Sequence, residues 1–256
     1  KLISLMYLVF ITMLALNVSK EVLDGFGQMF EKIEDANERV SESNNLLYEN
    51  IEVNSSEKGG KWVGHDRTAK QIKKESDAFY NKIAQIKTKI TEKQKLKDPE
   101  LKKFSEMDKG EALDVIWFKE GSDKASDEFQ SMVEEYRGHV IKVFGSQYPS
   151  SIDMVEARFF IGDMNRNVKN KDNVDQPWLA ANFKGFPLIS SLAKLTMMQN
   201  DIRQTEHDVL TTLMGKELKM SSTVNETNYT SLLITEKGAY YQGETFDGSV
   251  ILGRKG

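Results

Sequence analysis

The chain has 256 residues, 39% of them hydrophobic and 29% charged, a profile that suits one or two folded domains. Its formal net charge of −4 argues against a nucleic-acid binder, which is ordinarily basic. With no cysteine it has no disulfide framework, no thiolate-ligated metal and no thiol nucleophile, which suits an oxidising compartment.

The chain opens on LISLMYLVFITMLALNV, 17 residues from Leu2 to Val18 without a charge. As a helix this segment measures about 26 Å, slightly short of a hydrocarbon core of about 30 Å. Val22 and Leu23, beyond Lys20 and Glu21, extend it. A cleaved signal peptide would have a shorter apolar run followed by a small-x-small site, and no such site follows Ala15. Residues 1–21 are therefore expected to form a transmembrane helix. Lys1 precedes the segment and an acid-rich stretch follows it. The positive-inside rule then puts a short N-terminus in the cytoplasm and the large domain outside, in the periplasm of a two-membrane bacterium.

The polar residues of the span are Ser4, Tyr7, Thr12 and Asn17. Ser4 and Tyr7 share a helical face. Two readings of Tyr7 stand side by side: an interfacial anchor, or a hydrogen-bonding contact with a partner helix. The segment holds no Asp, Glu, Lys, Arg or His, so it has no group of its own to pass a proton across lipid.

From Val22 to about Asn54 the pattern predicts a continuing helix. Apolar residues recur at Phe26, Phe30, Ile33, Val40, Leu47 and Ile51, with Asn37 and Asn44 on the same stripe. Asparagines in such a seam set register or oligomeric state; the alternative places them at the wet edge of a monomeric bundle. Gly25 and Gly27 mark either a hinge just outside the bilayer or a close helix approach. Asn54 to Asp66, NSSEKGGKWVGHD, predicts a turn-rich loop, with Asp66 as N-cap of a helix to about Glu92.

The charged stretch TEKQKLKDPELKKF reads as a solvated helix end. Helices are predicted over Gly110–Lys119, Ser122–Phe144 and Ser151–Asn167, then a loop at NVKNKDNVDQPW. A final helix is predicted from Phe186 to Met220, with an apolar stripe at Leu188, Leu192, Leu195, Ile202, Val209 and Leu213. After Ser221 the pattern changes to two strand-like runs, Tyr229–Thr235 and Phe246–Leu252. Two strands cannot make a stable domain alone.

The fold expected is mainly α. One transmembrane helix continues into an elongated up-and-down bundle (22–222), followed by the start of a β-rich, Ig-like domain (223–256). No phosphate-cradling glycine motif is present. His65, His139 and His207 are far apart in sequence and read as surface or packing residues. No catalytic residue, metal site or cofactor is expected.

LISLMYLVFITMLALNVSKEVLDGF resembles the N-terminus of the GldM/PorM proteins of Bacteroidota, and WLAANFKGFPLISSLAKLTMMQNDIRQTEHDVL resembles the last bundle helix of the same family. The resemblance covers nearly the whole chain. It implies an inner-membrane component of the gliding-motility and type 9 secretion motor. Two copies of the chain would place their membrane helices in a ring of GldL/PorL, multi-pass proteins that supply a membrane glutamate. Proton flow would turn ring against core, and the periplasmic rod would carry the rotation to outer-membrane-associated partners. The resemblance makes Tyr7 the leading candidate for contact with that glutamate, with Ser4 and Thr12 behind it. It puts Asn17, Lys20 and Glu21 at the periplasmic exit. Phe26, Phe30, Ile33, Asn37, Val40 and Asn44 are then the seam of the homodimer or of the bundle. The contending readings are a passive membrane-anchored scaffold and a helical sensor ectodomain. Stators that carry an aspartate in their own membrane helix are disfavoured, because this segment has none.

Overall fold

The structure, a computed structural model, describes residues 3, 5–7, 20–146, 148–221, 229–235 and 248–254. The apolar segment 2–18 lies mostly outside them; of it, Ile3, Leu5, Met6 and Tyr7 are helical and exposed. Among the described residues no helix is long and apolar enough to cross a membrane.

The chain divides into two compact units, Lys1–Thr211 and Thr212–Gly256. The first is built on two long antiparallel helices, α1 (Lys20–Lys58) and α2 (Lys61–Lys95). Between them lie only Gly59 and Gly60, both with positive φ, at 60° and 58°. Two successive residues in this left-handed region reverse the chain at little cost only when both are glycine.

The long loop expected from Asn54 to Asp66 is therefore replaced by helix. Local side-chain hydrogen bonds replace the turn that composition suggested. Asn54 Nδ2 donates to Asn50 O at 2.7 Å and Thr68 Oγ1 to Gly64 O at 3.0 Å. Asp66 is not an N-cap; it lies inside α2 and pairs with Lys70 at 3.0 Å. Buried Ile51 and Ala69 on either side supply the packing that holds both helices past their weak local propensity.

Beyond α2, a single 3-10 turn (Phe104–Glu106) precedes α3 (Glu111–Trp117), α4 (Asp123–Phe144) and α5 (Pro149–Arg158). Pro149 starts α5 at a position where its missing N–H costs nothing. The helix expected to reach Asn167 stops at Arg158, because Gly162 adopts φ 104° and Asp163 closes a tight loop. Its Oδ1 accepts from the backbone N–H groups of Asn165 and Asn167, both at 2.9 Å. The segment expected as a plain loop holds an antiparallel hairpin, β1 (Asn167–Lys169) with β2 (Asp175–Pro177). The short α6 (Trp178–Phe183) then leads to α7 (Leu188–Ser221).

Helix α7 is the centre of the first unit. Of residues 188–210 only Met197 is exposed. Around it, α2, α4 and the short helices close an aromatic core. Phe79 lies 5.5 Å from Tyr136 and 6.3 Å from Phe129 and Phe159, Trp117 is 4.9 Å from Phe129, and Phe183 is 5.1 Å from Trp117. In the second unit β3 (Tyr229–Thr235) pairs antiparallel with β4 (Gly248–Arg254), Tyr229 opposite Arg254.

Candidate functional site: a buried polar seam along the first and last long helices

On α1 five of the six buried positions fall at seven-residue spacing, Leu23, Phe30, Asn37, Asn44 and Ile51, and the sixth is Gly27. The repeat is apolar at both ends and amide in the middle. A helix turns once per 3.6 residues, so a seven-residue step returns to nearly the same face. Phe26, Ile33 and Val40, expected in the same seam, lie beside this line and are half-buried. Asn37 and Asn44 are 3% and 1% exposed. They are not at a wet edge, and they contact α7 of the same chain.

The contacts form a ladder. Asn37 Nδ2 donates to Thr196 O at 3.3 Å, and its Oδ1 accepts from Asn200 Nδ2 at 2.9 Å. Two turns further along, Asn44 Nδ2 donates to Arg203 O at 2.9 Å and to Glu206 Oε2 at 3.3 Å. His207 Nδ1 lies 2.9 Å from Asn44 Oδ1, so in this arrangement Nδ1 is the donor. Glu206, 1% exposed, also accepts from the Tyr48 hydroxyl at 2.6 Å and from Arg203 Nη1 at 2.8 Å. Arg203 reaches on to Asp77 of α2 at 2.9 Å and lies 4.4 Å from the Tyr80 ring centre.

The seam continues through Lys87 of α2. Its Nζ donates to Glu34 at 2.8 Å and to Gln199 at 3.0 Å, over the Phe30 ring. Gln199 Nε2 returns a bond to Tyr80 O at 3.2 Å. On the other side of α7, the Tyr136 hydroxyl joins Ser76 at 2.9 Å, and Arg158 of α5 binds Thr205 at 3.0 Å and Asp208 at 2.6 Å.

Burial, then the neighbouring Glu206 carboxylate, pushes the Tyr48 hydroxyl far above the ordinary phenol range. Burial does the same to Tyr136, against the opposing hydrogen bond from Ser76. Both phenols stay protonated donors. Burial lowers Lys87, and Glu34 only partly restores it. Arg203 is held above its usual value because Glu206 and Asp77 outweigh the cost of burial.

Every oxygen of Glu206 is engaged by donors that do not titrate near neutrality. Such a carboxylate is a fastener: it ties α1, through Tyr48 and Asn44, to Arg203 of α7. Among the described residues no group of three or more His, Asp or Glu side chains is arranged to hold a metal ion. The chemistry this arrangement supports is registration. Sliding α1 by one turn, about 5.4 Å, would carry Asn37, Asn44 and Tyr48 off Thr196, Asn200, Arg203 O, Glu206 and His207 together, and each buried polar group left unpaired is costly.

The remaining candidates stand as follows. Ser4, Thr12 and Asn17 lie outside the described residues, and Tyr7 is 67% exposed on its short helical stretch. Lys20 and Glu21 form the exposed first turn of α1. The hinge considered at Gly25 and Gly27 is not a break in the helix, which runs unbroken through both. Gly27 marks a close approach: a Cβ there would sit 2.0 Å from Phe104 Cδ2, whereas one at Gly25 would meet nothing. His65 packs edge-on against Trp62, and His139 Nδ1 lies 3.1 Å from Glu75.

The α7 half of the ladder was not anticipated. Its signal was present as a second stripe, Thr196, Gln199, Asn200, Arg203, Glu206 and His207, polar at three- and four-residue steps beside the apolar one.

No curated protein matches the chain. The family model described as the GldM N-terminal domain matches residues 21–216, the stretch that runs from the first turn of α1 into the last turns of α7 and contains the whole ladder. The chain therefore belongs to the GldM/PorM family of gliding-motility and type 9 secretion components.

Proposed function

We propose that this chain is the inner-membrane motor subunit that, with a GldL/PorL-like ring, converts the proton-motive force into rotation and passes it through the periplasm to outer-membrane-associated partners of type 9 secretion and gliding. The observation that carries the reading is α1: an unbroken 39-residue helix, about 58 Å long, that begins directly after the apolar segment and is locked along its length to α2 and α7. In this reading the segment 1–21 spans the membrane with its N-terminus in the cytoplasm. The ring supplies the titrating glutamate, and Tyr7 faces it, with Ser4 and Thr12 nearby. The chain itself is not an enzyme and needs no cofactor.

The magnitudes are compatible. One charge crossing 100 mV releases about 2.3 kcal/mol. Breaking one buried ion pair by removing a partner costs about 3–5 kcal/mol, and the seam holds several coupled contacts. A transmission so fastened does not slip at each step. A second copy fits the outer face of α1, where Phe26, Ile33 and Val40 are half-buried and Met29 is 45% exposed. Apolar surface repeating at seven-residue steps is what a paired helix needs.

The test is a short Gly-Ser insertion between Ser19 and Lys20 in the native organism. A motor loses gliding and secretion while the protein still co-purifies with a multi-pass partner bearing a membrane glutamate. Retained gliding would make the chain a passive scaffold. Purification without any such partner would remove the ring from the account. Tyr7→Phe with unchanged secretion would remove Tyr7 from the mechanism and leave the rest standing.

A further inference from the structure

The antiparallel pairing of α1 and α2 fixes which residues stand level. Glu52 pairs with Lys70, the Tyr48 ring lies under Lys73, and Glu34 meets Lys87. The partners step in opposite directions along the chain, so the register continued to the end of α2 brings Lys95 level with Phe26 and Leu96 level with Gly25. The turn that follows is held down on the base of α1: Phe104 packs on Gly27 and Lys102 pairs with Glu31. Phe26 is six residues above Lys20, or about 9 Å along the axis.

This turn has an unusual surface. Leu96 is 86% exposed, among the most exposed large apolar side chains of the first unit. Residues 92–103 hold five lysines, Lys93, Lys95, Lys97, Lys102 and Lys103, against three acids. Of those acids Asp98 is turned inward, 7% exposed, where it accepts from the backbone N–H of Lys103 at 2.7 Å. Glu92 and Glu100 are exposed. Among the described residues Lys93, Lys95, Lys97 and Lys103 form no ion pair. The inward Asp98 keeps the turn in shape and leaves the lysine ammonium groups in excess outside.

We infer that this turn rests on an anionic bilayer surface, its lysines among phosphate headgroups and Leu96 dipping into the interface. The inference depends on the membrane reading of residues 1–21 given above. Charge and height both fit. Headgroups add about 5–7 Å to each side of the hydrocarbon core, and a lysine stem extends about 6 Å with its charge at the tip. Lysines about 9 Å above the exit of α1 therefore reach that layer. A cluster of lysines beside a membrane segment is the arrangement that anionic lipid attracts, and one exposed leucine amid them adds apolar contact. The turn is an outrigger: a second point of support, beside α1, that sets the tilt of the helical unit over the bilayer.

The absence of cysteine permits single-site labelling. Leu96→Cys and, as reference, Val53→Cys near the far end of α1 carry an environment-sensitive dye on the full chain. Each labelled chain is inserted into nanodiscs of phosphatidylcholine alone or with phosphatidylglycerol added. The expected result is a blue shift at position 96 with phosphatidylglycerol only. High salt should reverse it, Lys93→Glu/Lys95→Glu/Lys97→Glu should abolish it, and position 53 should not show it. Identical emission at 96 in both lipids overturns the inference, and so does an equal shift in detergent, which would point to a protein contact instead. Insertion is scored separately by resistance to alkaline carbonate. A chain that is extracted overturns the membrane reading and this inference together; a chain that resists while position 96 stays as wet as position 53 overturns this inference alone.

Discussion

Two regions of the first unit are buried alike and held by different forces. The aromatic core of Phe79, Trp117, Phe129, Tyr136, Phe159 and Phe183 is mainly a matter of area and shape. Its attraction is non-directional, and rings of similar size substitute with modest loss. The seam from Asn37 to His207 is directional: each partner must be the right atom at the right height. The core makes the unit stable, and the seam makes it stable in one register only. In the motor proposed above, a part that passes on rotation needs both properties, since a stable bundle whose helices slide would absorb the motion.

The largest expected effect sharpens this contrast from the core side. Phe129→Ala removes a ring that is 0% exposed and should cost about 3–5 kcal/mol, read as a lower urea midpoint. Phe129→Leu should recover much of the loss. Glu206→Ala should cost about 3 kcal/mol because Tyr48 loses its acceptor and Arg203 keeps only Asp77. Here the near-isosteric Glu206→Gln should recover little, since the amide supplies one acceptor where two were used. Recovery by Gln as complete as recovery by Leu would dissolve the distinction between the two regions.

The next effect has opposite signs two residues apart. Gly25→Ala, in open space, should stabilise α1 by about 0.5–1 kcal/mol through helix propensity. Gly27→Ala should destabilise it, because the Phe104 ring must leave its seat. Thermal melts of both variants decide this, and equal shifts would contradict the close approach.

The smallest effect concerns Asp201. Burial raises its carboxyl to about 6, with Arg158 opposing. A carboxyl raised in the folded state stabilises most below its unfolded value near 4, and that contribution is lost as pH rises through 6. Stability should therefore decline over this window, and Asp201→Asn should flatten the decline and melt higher than the parent at pH 7. An unchanged pH profile would place Asp201 in a wetter setting.

Much of this was legible in the sequence because helical periodicity is a local property. The last long helix, the fourth and the first terminal strand follow from the spacing of apolar residues alone, whereas the second strand, expected over Phe246–Leu252, is Gly248–Arg254. The seam of α1 was half legible. Asn37 and Asn44 stood out as polar residues on an apolar stripe, but their partners lie about 160 positions away, and no local pattern specifies a pairing at that distance. The break between α1 and α2 was misread for a related reason. Asn, Ser and Gly over thirteen residues resemble a loop by composition, yet only Gly59 and Gly60 leave the helix. Tertiary packing from both sides keeps the remainder wound. The hairpin at 167–177 was hidden because three-residue strands are too short for alternation to register.

That two-glycine reversal has a consequence for the whole hairpin. A connection this short leaves no slack, so it acts as the zero mark of a scale from which every rung between the two helices is measured. One extra residue inserted there would advance α2 by about 1.5 Å and rotate it by about 100°. Lys70, Lys73, Asp77 and Lys87 would all be carried off their partners at once, through a change about 40 Å from the farthest of them.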